Sequence, residues 1–276
     1  MVIPNKIYLL CLFLLPVSLN AQPLFDAHLH YNAAHAEKYT PQDIIKILQR
    51  NDMQHAVVTS APASYVARLF QLAPERIVPL LSAYRCHDDK LTWPDDPTLP
   101  QRLEAELKQG TWRGIGELHI FAKDRHSPVF HQIIKLAEKH QLPLLIHGDP
   151  AVIDTLYEIA PAQRVAWAHA GTVPYPDLIA DYLQRYPALS IDVSVRDERI
   201  APNGRITDDW YELFINFPDR VMVGVDTYSL QRWDNFDAAV TTIRNWLTQL
   251  PEDMSKQLAF ENASAFFIKS GKNKQK

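Results

Sequence analysis

Eight short apolar runs recur along this chain, and the segments between them carry helix-start signals. No other feature narrows its possible folds as much. The runs begin near Leu24, Met53, Arg76, Trp112, Leu142, Arg164, Leu189 and Arg220. Val57-Val-Thr, Ile77-Val-Pro-Leu-Leu, Leu144-Leu-Ile, Ile191-Asp-Val-Ser-Val and Val221-Met-Val-Gly-Val are dense in β-branched and aliphatic residues. Such runs suit strands covered on both faces, as in parallel sheets. Between them, Thr40-Pro41, Ala61-Pro62, Ser127-Pro128 and Asp149-Pro150 open stretches expected to be helical over 42–50, 63–72, 129–140 and 151–159. Proline is favoured in the first turn because its missing N–H has no intrahelical acceptor there.

Eight strand–helix alternations over roughly 250 residues fit a single-domain α/β fold, the (β/α)8 TIM barrel. A doubly wound open sheet usually carries a Gly-rich phosphate turn, and no GxGxxG occurs. The barrel is expected over 22–268. Residues 1–21 read as a secretory signal. Lys6 supplies the positive start, 7–15 the apolar core, Pro16 its break, and Leu19-Asn20-Ala21 the small-residue cleavage site. That core is too short to span a membrane. The protein is therefore expected to be exported, periplasmic or secreted, with no membrane attachment after cleavage. Removing the leader takes Cys11 with it and leaves Cys86 alone, so no internal disulfide forms. Residues 269–276 form a short basic tail. The formal charge of −4, with no basic run before that tail, gives no nucleic-acid footprint. The expected partner is a small molecule, and the sequence leaves the oligomeric state open.

In a TIM barrel, chemistry gathers where strands end. The first expected strand ends His28-Leu-His30, the fourth Glu117-Leu-His119 and the fifth His147-Gly-Asp149. The sixth ends His169-Ala-Gly171, and the eighth Asp226-Thr-Tyr228. Residues two apart in a strand share a face, so Asp26, His28 and His30 are expected to point together. Each residue also has an ordinary reading. His147 and His169 could be core histidines, Glu117 could pair with Arg113, and Asp226 could cap a helix. Four imidazoles and two carboxylates at one mouth nonetheless make a nitrogen–oxygen donor set for a divalent metal. Zinc comes first, with manganese or iron as alternatives.

These motifs resemble the amidohydrolase superfamily. More narrowly, Asp26-Ala-His-Leu-His, Leu145-Ile-His-Gly, Trp167-Ala-His-Ala-Gly, Gly224-Val-Asp-Thr-Tyr and Glu261-Asn-Ala look like the amidohydrolase-related (amidohydrolase 2) branch. The resemblance implies a metal-dependent hydrolase without the accessory β-sandwich of other members. It also implies His28, His30, Glu117, His147, His169 and Asp226 as the metal set, holding one ion or two. Many binuclear relatives place a carboxylated lysine where this chain has Glu117. Asp226 is the implied general base and proton donor, and His169 either holds metal or steadies a developing oxyanion. Asp26 is expected to orient a ligand imidazole. Arg85, His119, Arg196 and Tyr228 are the expected substrate contacts. For the two arginines the competing reading is a salt bridge with Asp88 or Asp197. Tyr228 and Trp233 could form an apolar wall or pack the rim. The leading function is hydrolysis of an amide, ester or lactone. A decarboxylase on the same scaffold, favoured by Arg85 and Arg196 as acid clamps, is the alternative, and an inactive binding module is a third.

Overall fold

The aliphatic runs form eight strands that pair in chain order, every neighbouring pair parallel. The computed structural model describes residues 22–269. The expected leader, and the tail beyond Lys269, lie outside them. The strands are β1 (Leu24–His30), β2 (Met53–Thr59), β3 (Ile77–Leu81), β4 (Gly114–Ile120), β5 (Leu144–Gly148), β6 (Val165–Trp167), β7 (Leu189–Asp192) and β8 (Val221–Met222). Each is followed by a main helix: α1 (Pro41–Arg50), α2 (Ser64–Leu72), α3 (Leu99–Gln109), α4 (Pro128–His140), α5 (Pro150–Ile159), α6 (Pro176–Arg185), α7 (Asp208–Asn216) and α8 (Phe236–Leu247). The sheet closes where the Ala27 N–H donates to Val223 O at 2.9 Å and the Asp226 N–H to His28 O at 2.8 Å. This is a (β/α)8 TIM barrel. No described helix is long and apolar enough to cross a membrane.

The proline signals place helix starts closely. In α1, α4 and α5 the proline is itself the first helical residue, and the side chains of Thr40 and Ser127 accept backbone N–H groups of the first turn. Such caps satisfy donors that a helix start leaves unpaired. Pro62 behaves differently, because α2 begins two residues later, at Ser64.

Apolar side chains fill two layers. Leu29, Ile44, Ile115, Ile133 and Val165 belong to the layer between strands and helices. Phe25, Ala27, Val57, Leu145, Ala166 and Met222 pack inside the barrel. The base is closed by the C-terminal helical segment, where Phe260 and Phe267 meet the Phe25 ring at centroid distances of 6.0 and 6.4 Å. The polar residues gather at the other end.

Candidate metal centre

Irregular backbone at the strand ends aims the polar side chains inward. In β1 the register against β2 shifts between Asp26 and Leu29. Phe25 and Ala27 therefore face the barrel interior, Leu29 faces the helices, and His28 and His30 turn to the mouth. In β4 a similar shift lies between Ile115 and Leu118. Gly116 sits there at φ +144°, where a Cβ would lie 2.5 Å from the Leu145 carbonyl oxygen, so only glycine fits. β6 and β8 stop early. His169 lies in a turn after β6 at φ +58°, and Asp226 lies beyond β8 at φ +54°. Left-handed backbone in non-glycine residues costs free energy and is concentrated at functional sites.

These deviations bring the donors together. His28 Nε2 lies 3.2 Å from His30 Nε2 and 3.6 Å from Glu117 Oε1. His30 Nε2 is 3.3 Å from both Glu117 Oε2 and Asp226 Oδ1. His169 Nε2 is 3.3 Å from Glu117 Oε1 and 3.7 Å from Asp226 Oδ2. His147 Nδ1 approaches Glu117 Oε1 at 3.0 Å, and His119 Nε2 approaches Oε2 at 3.5 Å. Glu117 is thus the hub, buried with all five imidazoles within reach.

Asp192, at the end of β7, orients two of those rings, and the sequence reading missed it. Its Oδ2 accepts from His28 Nδ1 at 3.1 Å. Its Oδ1 takes the Ser194 hydroxyl proton in a short hydrogen bond. Ser194 Oγ must then accept from His169 Nδ1, 2.8 Å away. Both rings therefore hold a proton on Nδ1 and direct Nε2 at the centre, the tautomer a metal requires. The available signal was Asp192-Val-Ser194 itself, two polar residues on one face of a run read only as strand.

Burial alone disfavours charge here, yet the cluster keeps Glu117 and Asp192 ionised. For Glu117 the burial penalty is outweighed by His119, His28 and the hydrogen bonds of His147 and His169, which hold it well below the usual carboxylate range. For His28 burial is overcome by Asp192, Glu117 and Asp226, which push its imidazole well above its usual value. The field at the centre demands positive charge. Asp226 Oδ1, buried and without a hydrogen bond among the described residues, is an unsatisfied acceptor aimed into it. The Nε2 atoms of His28, His30 and His169, with Glu117 and Asp226, suit a divalent cation in donor chemistry and burial.

Three expectations are corrected. Asp26 orients no imidazole: its carboxylate accepts the His28 and Val225 backbone N–H groups, because the β1 shift breaks the two-residue period between Asp26 and His28. Its burial pushes its carboxyl up to about 8. Arg85 does not reach the mouth; it pairs with Asp89 at 3.0 Å, and its side chain is 64% exposed. Arg196 folds back over the β6 turn and donates to the carbonyls of His169 at 2.7 Å and Gly171 at 3.0 Å, steadying the turn that carries His169. Of the remaining expected contacts, Tyr228 lines the mouth cavity and His119 touches Glu117. Trp233 packs the rim, stacked on Phe236, with its indole N–H on the His30 carbonyl at 3.1 Å.

A cavity of about 300 Å³ opens from His30 and Glu117 between the loops after β1, β2 and β3. His35 is buried in its wall. Its Nδ1 accepts the Asn32 N–H at 3.0 Å, and burial pushes its imidazole down to about 4. Cys86 and His87 lie exposed on the same wall.

The chain matches no protein-family model and no curated protein sequence. It is similar in fold to solved structures. A TatD homologue from Escherichia coli K12 shares 15% identity at a TM-score of 0.63, over 88% of this chain and 97% of that one. A probable 2-pyrone-4,6-dicarboxylic acid hydrolase from Acinetobacter baumannii, with citric acid bound, shares 16% at 0.61, over 88% and 98%. An amidohydrolase from Burkholderia multivorans with bound HEPES shares 14% at 0.60, over 89% and 99%. At these identities the likeness is one of fold.

Proposed function

We propose that this chain is a metal-dependent hydrolase of the amidohydrolase superfamily, acting on an amide, ester or lactone bond of a small molecule. The observation that carries the reading is the Asp192–His28 and Asp192–Ser194–His169 relay, which turns two Nε2 lone pairs onto the same point as Glu117 and Asp226. A structural histidine cluster has no need of that tautomer control. His28, His30, His169, Glu117 and Asp226 would hold the ion, with His147 completing a second position beside Glu117. Zinc is the proposed metal. A divalent cation held there lowers the pKa of water toward about 7 and polarises a carbonyl oxygen. Asp226 Oδ1, the free acceptor, takes the proton of the attacking water and returns it to the leaving group. The cavity of about 300 Å³ suits a small substrate. The decarboxylase alternative loses Arg85 and Arg196 as acid clamps, since both are engaged elsewhere. Export is part of the proposal and rests on residues 1–21 alone; N-terminal sequencing of the exported protein is expected to start at Gln22.

The test is metal analysis of the purified protein, followed by a panel of esters, lactones and amides in ¹⁸O-labelled water. At least one tightly held divalent ion per chain, activity lost on chelation, and label in the acid product are expected. A chain that takes up no divalent metal overturns the reading.

A further inference from the structure

The mouth cavity carries one lysine, and the acids around it leave that lysine without a partner. Lys90 lies on the short helical turn His87–Leu91 after β3, partly buried, on the wall that also includes His30 and Glu117. Its neighbouring acids are turned elsewhere. Both oxygens of Asp89 are taken by Arg85, at 3.0 and 3.3 Å, and Asp88 is 97% exposed with His87 at 3.9 Å. The Lys90 ammonium makes no hydrogen bond or ion pair among the described residues. The same lining includes the apolar Ala33, Ala34, Ala61 and Pro62 and the Tyr228 ring. A cation held beside an apolar wall and free of protein carboxylates is available to a ligand's anion.

We propose that Lys90 is the anion-recognition residue of this cavity. The substrate is then a small molecule with an apolar body, a carboxylate at the Lys90 end and the hydrolysable bond at the Glu117 end. A single ammonium supplies one positive charge, which balances a carboxylate and leaves the second charge of a phosphate monoester uncompensated. The proposal rests on the hydrolase reading for the second end of that substrate but not for the first.

Calorimetric titration of the metal-loaded protein with 3-phenylpropionate and with its neutral amide tests this. The acid is expected to bind roughly tenfold more tightly than the amide. Lys90→Gln is expected to abolish that preference, Lys90→Arg to keep most of it, and Arg85→Gln to leave it intact. A preference that survives in Lys90→Gln places the acid on the metal and overturns the proposal. So does a wild-type protein that binds both probes equally or neither. A chain that takes up no metal overturns the hydrolase reading instead, and the same acid–amide comparison on it still decides the role of Lys90.

Discussion

Both ends of this barrel bury side chains fully, and they do opposite work. β1 supplies both, with Phe25 at the base and His28 at the mouth, each 0% exposed. At the base Phe25, Phe260 and Phe267 cover one another, and removing apolar surface from water stabilises the fold. At the mouth Glu117, Asp192 and Asp226 are buried with five imidazoles around them. Burying charge costs free energy unless it is compensated. The base therefore needs only volume and shape. The mouth needs particular atoms at particular places, and a cation to balance them.

The largest expected effect lies at the mouth. His28→Ala removes one donor and strands Asp192, so metal content should fall and turnover should drop on the order of 10³-fold, about 4 kcal/mol in the barrier. Metal analysis and a rate measurement on the first substrate found check this. Phe25→Ala is its counterpart at the base. Truncating a fully buried Phe costs about 3–4 kcal/mol, which for a domain of this size lowers the melting temperature by roughly 10 °C. Metal per folded chain should stay unchanged. A Phe25→Ala protein that folds but no longer holds metal breaks the separation of the two ends.

The same contrast explains what the sequence disclosed. The barrel was legible because eight two-sided strands leave long aliphatic runs, and Pro41, Pro128 and Pro150 mark helix starts directly. His28, His30, Glu117, His147, His169 and Asp226 could be named because their residue types are rare at strand ends. Their arrangement was not legible. Strand periodicity places Asp26 beside His28, but the β1 register shift parts them, and no local pattern announces a bulge. Arg85 and Arg196 sit at mouth loops in sequence, but where a long side chain goes depends on which acceptors the fold leaves open. Asp89 and the carbonyls of the β6 turn claimed them. Lys90 was passed over for the converse reason: only three dimensions show that its acids are already taken.

Asp192→Asn sharpens the comparison from within the mouth. Asparagine keeps the shape but gives up the charge, and its amide nitrogen cannot accept from His28 Nδ1. The tautomer at His28 then loses its anchor, while the apolar layers are untouched. Partners of this kind are worth roughly 10–100-fold in metal affinity. Competition with a chelator should show a loss in that range, with the melting temperature of the metal-free protein falling less than in Phe25→Ala. An unchanged metal affinity would mean that Asp192 braces the barrel and does not prepare the site.

Asp154 gives the smallest effect and the control for carboxylates. It sits on α5, outside the barrel, and accepts from Tyr182 and Tyr186 hydroxyls at 2.6 Å each and from Arg185 at 2.9 Å. Burial favours its neutral form, but those three donors outweigh it and hold its carboxyl below the usual value. A lowered folded-state pKa means stability present above the ordinary carboxylate pKa and lost as pH falls through the lower folded value. The side chain is 35% exposed, so solvent screening keeps the contribution under about 1 kcal/mol. Asp154→Asn should therefore melt a degree or two below the wild type near neutral pH, with the gap closing as both proteins are acidified below about pH 4. The mouth carboxylates answer to a different variable. Asp154 is fully served by its own chain and responds to protons alone, whereas Glu117 and Asp226 belong to the proposed metal site. Adding divalent metal should raise the melting temperature of the wild type and of Asp154→Asn by the same amount, and should leave that of His28→Ala nearly unmoved.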